Sequence, residues 1–237
     1  MNNILLTGAS SSIGREFLIK NNKKKLLILA QYNKSRDFLN FLKKNKFYST
    51  IIPLKCNLSK KKQIDNFLKK IKKYDIQIVI HIAAKPLILK NFLDLKKQNF
   101  LNDFNVAFFS IFKILKTLLP IMLKKNKGHI IFILSSVVDD KKISSFTLNY
   151  NSLKFALMGM IKSLNKEYKK TNLIFSSISP DMMDTPFLKN LDRRLIEIYR
   201  NKKKTKKFVQ VSKVVNAINR LIKNKQKSKG KNILIFN

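Results

Sequence analysis

Tyr150 and Lys154, in the run Tyr150-Asn151-Ser152-Leu153-Lys154, are the residues of this chain best suited to chemistry. On a helix, a spacing of four puts both side chains on one face. A cation beside a phenol favours the phenolate, so the pair can carry a proton to or from an alcohol or a carbonyl. The spacing alone is a common coincidence, but two further signals accompany it. One is Thr7-Gly8-Ala9-Ser10-Ser11-Ser12-Ile13-Gly14, and the other is Ser135-Ser136 at the end of an apolar run. Gly8 and Gly14 are expected to lie in one turn between a strand and a helix. Glycine there removes the Cβ that would block a pyrophosphate, and the helix N-terminus offers unpaired amides to its charge.

Positioning these residues requires alternating strands and helices. The apolar patterning predicts strands at 4–6, 25–31, 50–54, 77–83, 129–134, 173–178 and 232–236. Helices are predicted at 13–20, 34–44, 63–72, 105–124, 150–169 and 211–223. Ser179-Pro180 is expected to interrupt the sixth strand, and 184–199 to be a loop with helical stretches. The strand at 77–83 is continuously apolar, as strands buried on both faces of a parallel sheet are. The expected fold is α/β: one Rossmann-type domain over 1–237, a doubly wound parallel β-sheet flanked by helices on both faces. Its substrate loop would span about 181–210. Right-handed crossovers then bring the C-terminal ends of all strands to one edge, where Asn105, Ser136 and Tyr150 can meet.

The chain has 237 residues, 45% of them hydrophobic, enough for a sizeable core. No basic leader followed by a cleavage site is visible at the start. No uninterrupted apolar stretch reaches the ~18 residues of a membrane span. The longest candidate, 106–123, is broken by Lys113 and Lys116 and reads as a packed amphipathic helix. Cys56 is the one cysteine, so no internal disulfide forms, which fits a reducing, cytoplasmic setting. One cysteine and two histidines also speak against a structural zinc site, and no metal is expected. The net charge of +37 first suggests nucleic acid. Nearly all of the excess is lysine, spread along the whole chain, whereas base-reading and phosphate-clamping surfaces favour arginine. It reads as a solvated surface that attracts anionic ligands, and nucleic acid is not the expected partner.

With these residues in this order, the chain resembles the short-chain dehydrogenase/reductase family over essentially its full length. In length and motif order it is most similar to 3-oxoacyl-[acyl-carrier-protein] reductases. The family's Thr-Gly-x-x-x-Gly-x-Gly turn matches Thr7, Gly8, Ser12, Ile13 and Gly14. Its Asn, Ser, Tyr, Lys tetrad matches Asn105, Ser136, Tyr150 and Lys154. Its Pro-Gly after strand six matches Pro180-Asp181, and Thr185 matches a threonine that contacts the nicotinamide carboxamide. The resemblance implies hydride transfer between a nicotinamide and a carbonyl or secondary alcohol. Tyr150 would then exchange the proton. Lys154 would lower the phenol pKa and hold the ribose, Ser136 would bond the carbonyl oxygen, and Asn105 would anchor a proton-carrying water. Cofactor contacts would come from Gly8, Ser10, Ser12, Ile13, Gly14, Asn33, Lys34, Asn57, Leu58, Ala83, Lys154, Pro180, Met183 and Thr185.

The departures are informative. Ser12 replaces a glycine; a left-handed backbone there would cost ~1 kcal/mol. His81-Ile82-Ala83-Ala84 stands for Asn-Asn-Ala-Gly, with His81 read as a buried core or a backbone-bonding residue. Asn57 stands where an aspartate usually holds the adenine, and Asp181 replaces a glycine. The segment Ala30-Gln31-Tyr32-Asn33-Lys34-Ser35-Arg36 has no acid for the ribose hydroxyls. Asn33, Lys34 and Ser35 with Arg36 could take a 2′-phosphate, which favours NADP(H) over NAD(H). The substrate is either an acyl-carrier-linked carbonyl or a small ketone or sugar-derived molecule, facing an apolar wall of Met182, Met183, Phe187 and Leu188. A dinucleotide-binding protein without catalysis is the other reading. The charged run 201–207 is expected to be exposed or to cover a substrate. A homotetramer or dimer is expected; Phe108, Phe109, Phe112, Leu115 and Leu119 with Leu157, Met160, Ile161 and Leu164 could form its contact or equally face the sheet.

Overall fold

Alternate residues of the central strands face opposite sides, and both sides are apolar. A computed structural model describes residues 3–139, 143, 145–201, 205 and 207–237. Seven strands form: β1 (Asn3–Thr7), β2 (Leu27–Tyr32), β3 (Thr50–Lys55), β4 (Ile78–His81), β5 (Gly128–Ile133), β6 (Leu173–Pro180) and β7 (Asn232–Ile235). All pairs are parallel, in the order β3-β2-β1-β4-β5-β6-β7. On one face Leu5, Val79, Ile130 and Phe132 pack against α3 (Lys61–Ile71), α5 (Ser110–Lys124) and α6 (Leu148–Glu167). On the other, Leu6, Ile80, Ile131 and Ile133 pack against α1 (Ser12–Lys20), Phe38 of α2 (Arg36–Lys44), and α8 (Val211–Lys223). This is the expected doubly wound sheet. The strand order reverses between β1 and β4, so a crevice opens there beyond the strand ends.

Three local expectations change. First, β6 runs through Pro180 rather than stopping before it. The amides of Ser177 and Asp181 bond to Lys231 O and Ile235 O beside β7 (both 2.9 Å), so position 180 faces β5. The register pairs Ile133, the last residue of β5, with Ile178. Pro180 therefore sits past the end of its neighbour, where the N–H it lacks has no strand acceptor to meet. Second, Ser12 is the first residue of α1, and Asn126 and Phe146 are the non-glycine residues with positive φ among those described. The anticipated strain at Ser12 does not arise. Third, the helix expected from 105 begins earlier. α4 (Lys97–Phe104) leads into a π turn at Asn105–Phe109, which leads into α5. The cause is tertiary. Ser110 Oγ donates to Val106 O (2.6 Å), and the buried His81 bonds Ala107 O (2.8 Å). Side chains thus satisfy carbonyls that a wider helical turn takes out of the α-type pattern.

The stretch Lys97–Lys124 is long and apolar enough to cross a membrane by length and composition. Here Ile111, Ile114, Leu115, Leu118, Leu119 and Met122 are buried against the sheet. Of the residues expected at a subunit contact, Leu115, Leu119, Leu157 and Ile161 belong to this core, while Phe109 and Phe112 stay exposed. α7 (Arg193–Asn201) buries no side chain. Most of the charged run after it, Lys202, Lys203, Lys204 and Lys206, lies outside the described residues.

Candidate active site

The C-terminal ends of the strands open into a cleft of about 1550 Å³. Its floor at the switch point is the turn after β1. Gly8 has φ +69°, and a Cβ there would lie 2.9 Å from Ala83 N. Gly14 is already inside α1, and its Cβ would lie 2.5 Å from Ala9 O. The expectation that both glycines clear space for a pyrophosphate is corrected: each clears space for neighbouring backbone, and Gly14 does not line the cleft. The turn is further fixed by Gln31. Its Oε1 accepts from Gly8 N (2.9 Å), its backbone O accepts from Ala9 N (2.9 Å), and its Nε2 donates to Cys56 O (2.7 Å). Ser11 caps α1 by accepting from Gly14 N. The amides of Ser12 and Ile13, the first two helical residues, remain for an anion.

His81 ties this turn to the opposite wall. Its ring lies between Thr7 Oγ1 (2.8 Å) and Ala107 O (2.8 Å). The carbonyl can only accept, so Nε2 carries the proton and Nδ1 accepts from the Thr7 hydroxyl. Burial pushes the ring down to about 4, so it stays neutral at ordinary pH. The expectation for His81, a buried core or backbone-bonding residue, holds.

Ser10, Ser12, Ile13, Asn33, Asn57, Leu58, Ala83, Ser136, Tyr150, Lys154, Pro180, Met183 and Thr185 line the cleft beside Gly8. Lys34 and Asn105 do not. Lys34 is exposed and precedes Ser35, the residue that caps α2. Asn105 is half-buried at the start of the π turn, inside a continuous helical stretch rather than near a helix start, and Val106 reaches the cleft instead.

Tyr150 and Lys154 sit in the first two turns of α6, on the face turned to the cleft, with Lys154 Nζ 5.5 Å from the centre of the phenol ring. Lys154 Nζ donates to Ile133 O (2.9 Å) at the end of β5. Burial lowers its pKa to about 8. Burial also raises the phenol to about 12, while the hydroxyl of Ser135 pulls the other way. This corrects the expectation of a phenol made acidic by Lys154: burial dominates, and the resting phenol holds its proton. Ser136 Oγ donates to Asp181 Oδ1 (3.2 Å). A hydroxyl has one proton, so with that bond in place Ser136 turns only lone pairs to the cleft. Phe187 closes the wall next to the phenol (ring centres 5.7 Å apart).

Sequence reading missed Arg15, Asp37, Ser135 and Lys85, all of which line the cleft. Arg15 bonds Asp37 Oδ2 (2.5 Å) and Ser10 O (3.1 Å) and lies over Phe41, 5.1 Å from the ring centre. An acid therefore does stand near the end of β2, paired with a cation. Only the packing of α1 on α2 brings them together. Ser135 was visible as the neighbour of Ser136, and its role near the phenol follows from the backbone after β5. Together, the donors at the turn, the paired charges beyond β2 and the long cleft fit a dinucleotide.

Residues 2–195 match the family model for short chain dehydrogenase. The chain is 30% identical over 198 residues to 17-beta-hydroxysteroid dehydrogenase 13 of Rattus norvegicus, covering 81% of this chain and 65% of that one. It thus spans less than two thirds of that relative's length. An NADP-dependent 3-hydroxy acid dehydrogenase of Schizosaccharomyces pombe is 26% identical over 189 residues, covering 78% of this chain and 72% of that one. Among solved structures, a 3-oxoacyl-[acyl-carrier protein] reductase from Brucella melitensis superposes with TM-score 0.85 at 17% identity, over 99% of this chain and 89% of the other. At that identity the likeness bears on the fold.

Proposed function

We propose that this chain, which belongs to the short-chain dehydrogenase family, reduces a carbonyl to a secondary alcohol with NADPH, using Tyr150 as proton donor. One arrangement carries the reading: a protonated phenol lining the switch-point cleft, with a buried ammonium 5.5 Å from its ring. Bound along the floor, the dinucleotide would supply the hydride. The amides of Ser12 and Ile13 would hold its pyrophosphate. Tyr150 gives its proton to the carbonyl oxygen as charge develops there. Lys154, still charged at neutral pH, stabilises the phenolate left behind. Ser135, beside the phenol, is placed to assist.

NADP(H) is the cofactor of this reading, with Arg15 in the role first given to Lys34: its guanidinium lines the cleft that Asn33 also lines. The NADP-dependent relative supports this. The names of the curated relatives point to steroid and hydroxy-acid alcohols, so an acyl-carrier substrate is one class among several. A pair of these chains through the exposed Phe109 and Phe112 is the proposed assembly.

The test is NADPH oxidation across a carbonyl panel: simple ketones, sugar-derived carbonyls, oxosteroids, oxo acids, and acyl-carrier and coenzyme A thioesters. Tyr150→Phe should cut turnover by about 10²- to 10⁴-fold and leave NADPH affinity within about twofold. Undiminished turnover in that variant, or no oxidation with any carbonyl, would sink the reading.

A further inference from the structure

Two cations lining the cleft have no hydrogen-bonding acceptor among the described residues: Lys60, exposed just before α3 in the stretch that carries Asn57 and Leu58, and Lys85, whose loop is bonded to the wall beside Tyr150. Lys154 is bonded to Ile133 O, and Arg15 to Asp37 and Ser10. Lys85 lines the same cleft in the loop after β4, with its side chain 38% exposed. Its nearest anion is Asp103 Oδ1 at 3.9 Å, beyond hydrogen-bond reach. Asp103 is buried behind it on α4, fixed by Asn149, whose Nδ2 donates to Oδ2. Oδ1 makes no hydrogen bond. At this distance Asp103 directs the ammonium without using up its three donors.

The position of Lys85 relative to the chemistry follows from its neighbours. Asn149 immediately precedes Tyr150. On the other side, Leu87 N donates to Phe187 O (2.9 Å), and the Phe187 ring packs on the phenol. The loop carrying Lys85 is thus bonded at Leu87 to a residue that packs on Tyr150, and the anion facing Lys85 is bonded to the residue before Tyr150. We propose that Lys85 binds a carboxylate of the substrate, so that the protein acts on oxo acids and their hydroxy acids, with the ammonium holding the acid group while Tyr150 addresses the carbonyl. This rests on the dehydrogenase reading above and adds its substrate class. A carboxylate on an ammonium in a partly desolvated cleft forms a charge-assisted bond that an ester cannot match. Asp103 remains as counter-ion on the far side, so Lys85 bridges two carboxylates.

The test compares 2-oxobutanoate and 3-oxobutanoate with their methyl esters, using NADPH and the full chain. In the unmodified protein at least one acid should be preferred over its ester. Lys85→Met should raise KM for that acid about tenfold or more, with the ester and the NADPH Kd changed less than about twofold. Lys85→Arg should recover most of the loss. A rise in NADPH Kd instead would assign the cation to a cofactor phosphate, and equal effects on acid and ester would make Lys85 a packing residue. Either result overturns the proposal. If no carbonyl is turned over, the dehydrogenase reading fails separately, and calorimetric titration of the NADP-loaded protein with 3-hydroxybutanoate still decides this one. Binding lost in Lys85→Met supports it, and no binding to the unmodified protein overturns it.

Discussion

In the proposed function, Lys154 sets activity and stability against each other at one residue. Burial takes its pKa from 10.5 to about 8. Holding it charged in the fold therefore costs about 3 kcal/mol at neutral pH, offset by about 1 kcal/mol from its bond to Ile133 O. Between pH about 8 and 10.5 the unfolded chain binds the proton that the folded chain has lost, so stability rises with pH across that window. Lys154→Met should accordingly raise the unfolding free energy at pH 7 by about 1–2 kcal/mol while abolishing turnover, as denaturant melts and NADPH oxidation would show. In the unmodified protein, carbonyl reduction should fall as pH rises above about 8, where Lys154 discharges and stops stabilising the phenolate. A reductive pH profile flat to pH 10 would contradict that role. Tyr150 sets no limit in this range, since its own pKa lies near 12.

Secondary-structure elements explain what sequence reading could and could not supply. The central strands were legible because each is an apolar run buried on both faces, as Ile130-Ile131-Phe132-Ile133 is. Pro53 did not mislead because β3 is an edge strand, where a missing N–H is tolerated. The π turn was not legible: Asn105–Phe109 has ordinary helical spacing, and the widening depends on His81 reaching Ala107 from β4. The Arg15–Asp37 pair was equally hidden, since it joins α1 to α2. Asp37 is 81% exposed, so the pair adds little to stability; in the proposed function its consequence would lie in cofactor choice. A 2′-phosphate would compete with Asp37 for Arg15, whereas ribose hydroxyls would be accepted by Asp37. Asp37→Ala should therefore lower KM for NADPH about three- to tenfold and raise it for NADH. Arg15→Met should raise KM for NADPH about tenfold and leave NADH within about twofold. Paired steady-state measurements with both cofactors check this, and parallel shifts for NADPH and NADH would remove these residues from cofactor selection.

At the scale of the molecule, charge works against the fold and in favour of its ligands. The net charge of +37 arises from 50 basic and 13 acidic residues. Most lysines thus have no carboxylate to pair with, and self-repulsion destabilises the compact state. Salt shortens the reach of that repulsion from about 30 Å at 0.01 M to about 8 Å at 0.15 M. The melting temperature should rise by several degrees over that range, because repulsion between many exposed charges outweighs the few exposed pairs, each worth ~1 kcal/mol or less. The same screening should weaken capture of anionic ligands, so KM for NADPH should rise while the protein becomes more stable. These opposite trends separate a diffuse field from a built nucleic-acid surface. A diffuse field attracts any anion weakly and stabilises no particular complex. A melting temperature that falls with added salt would mean instead that ion pairs such as Lys125–Asp75 and Arg200–Glu197 dominate, and that the lysine excess is locally compensated after all.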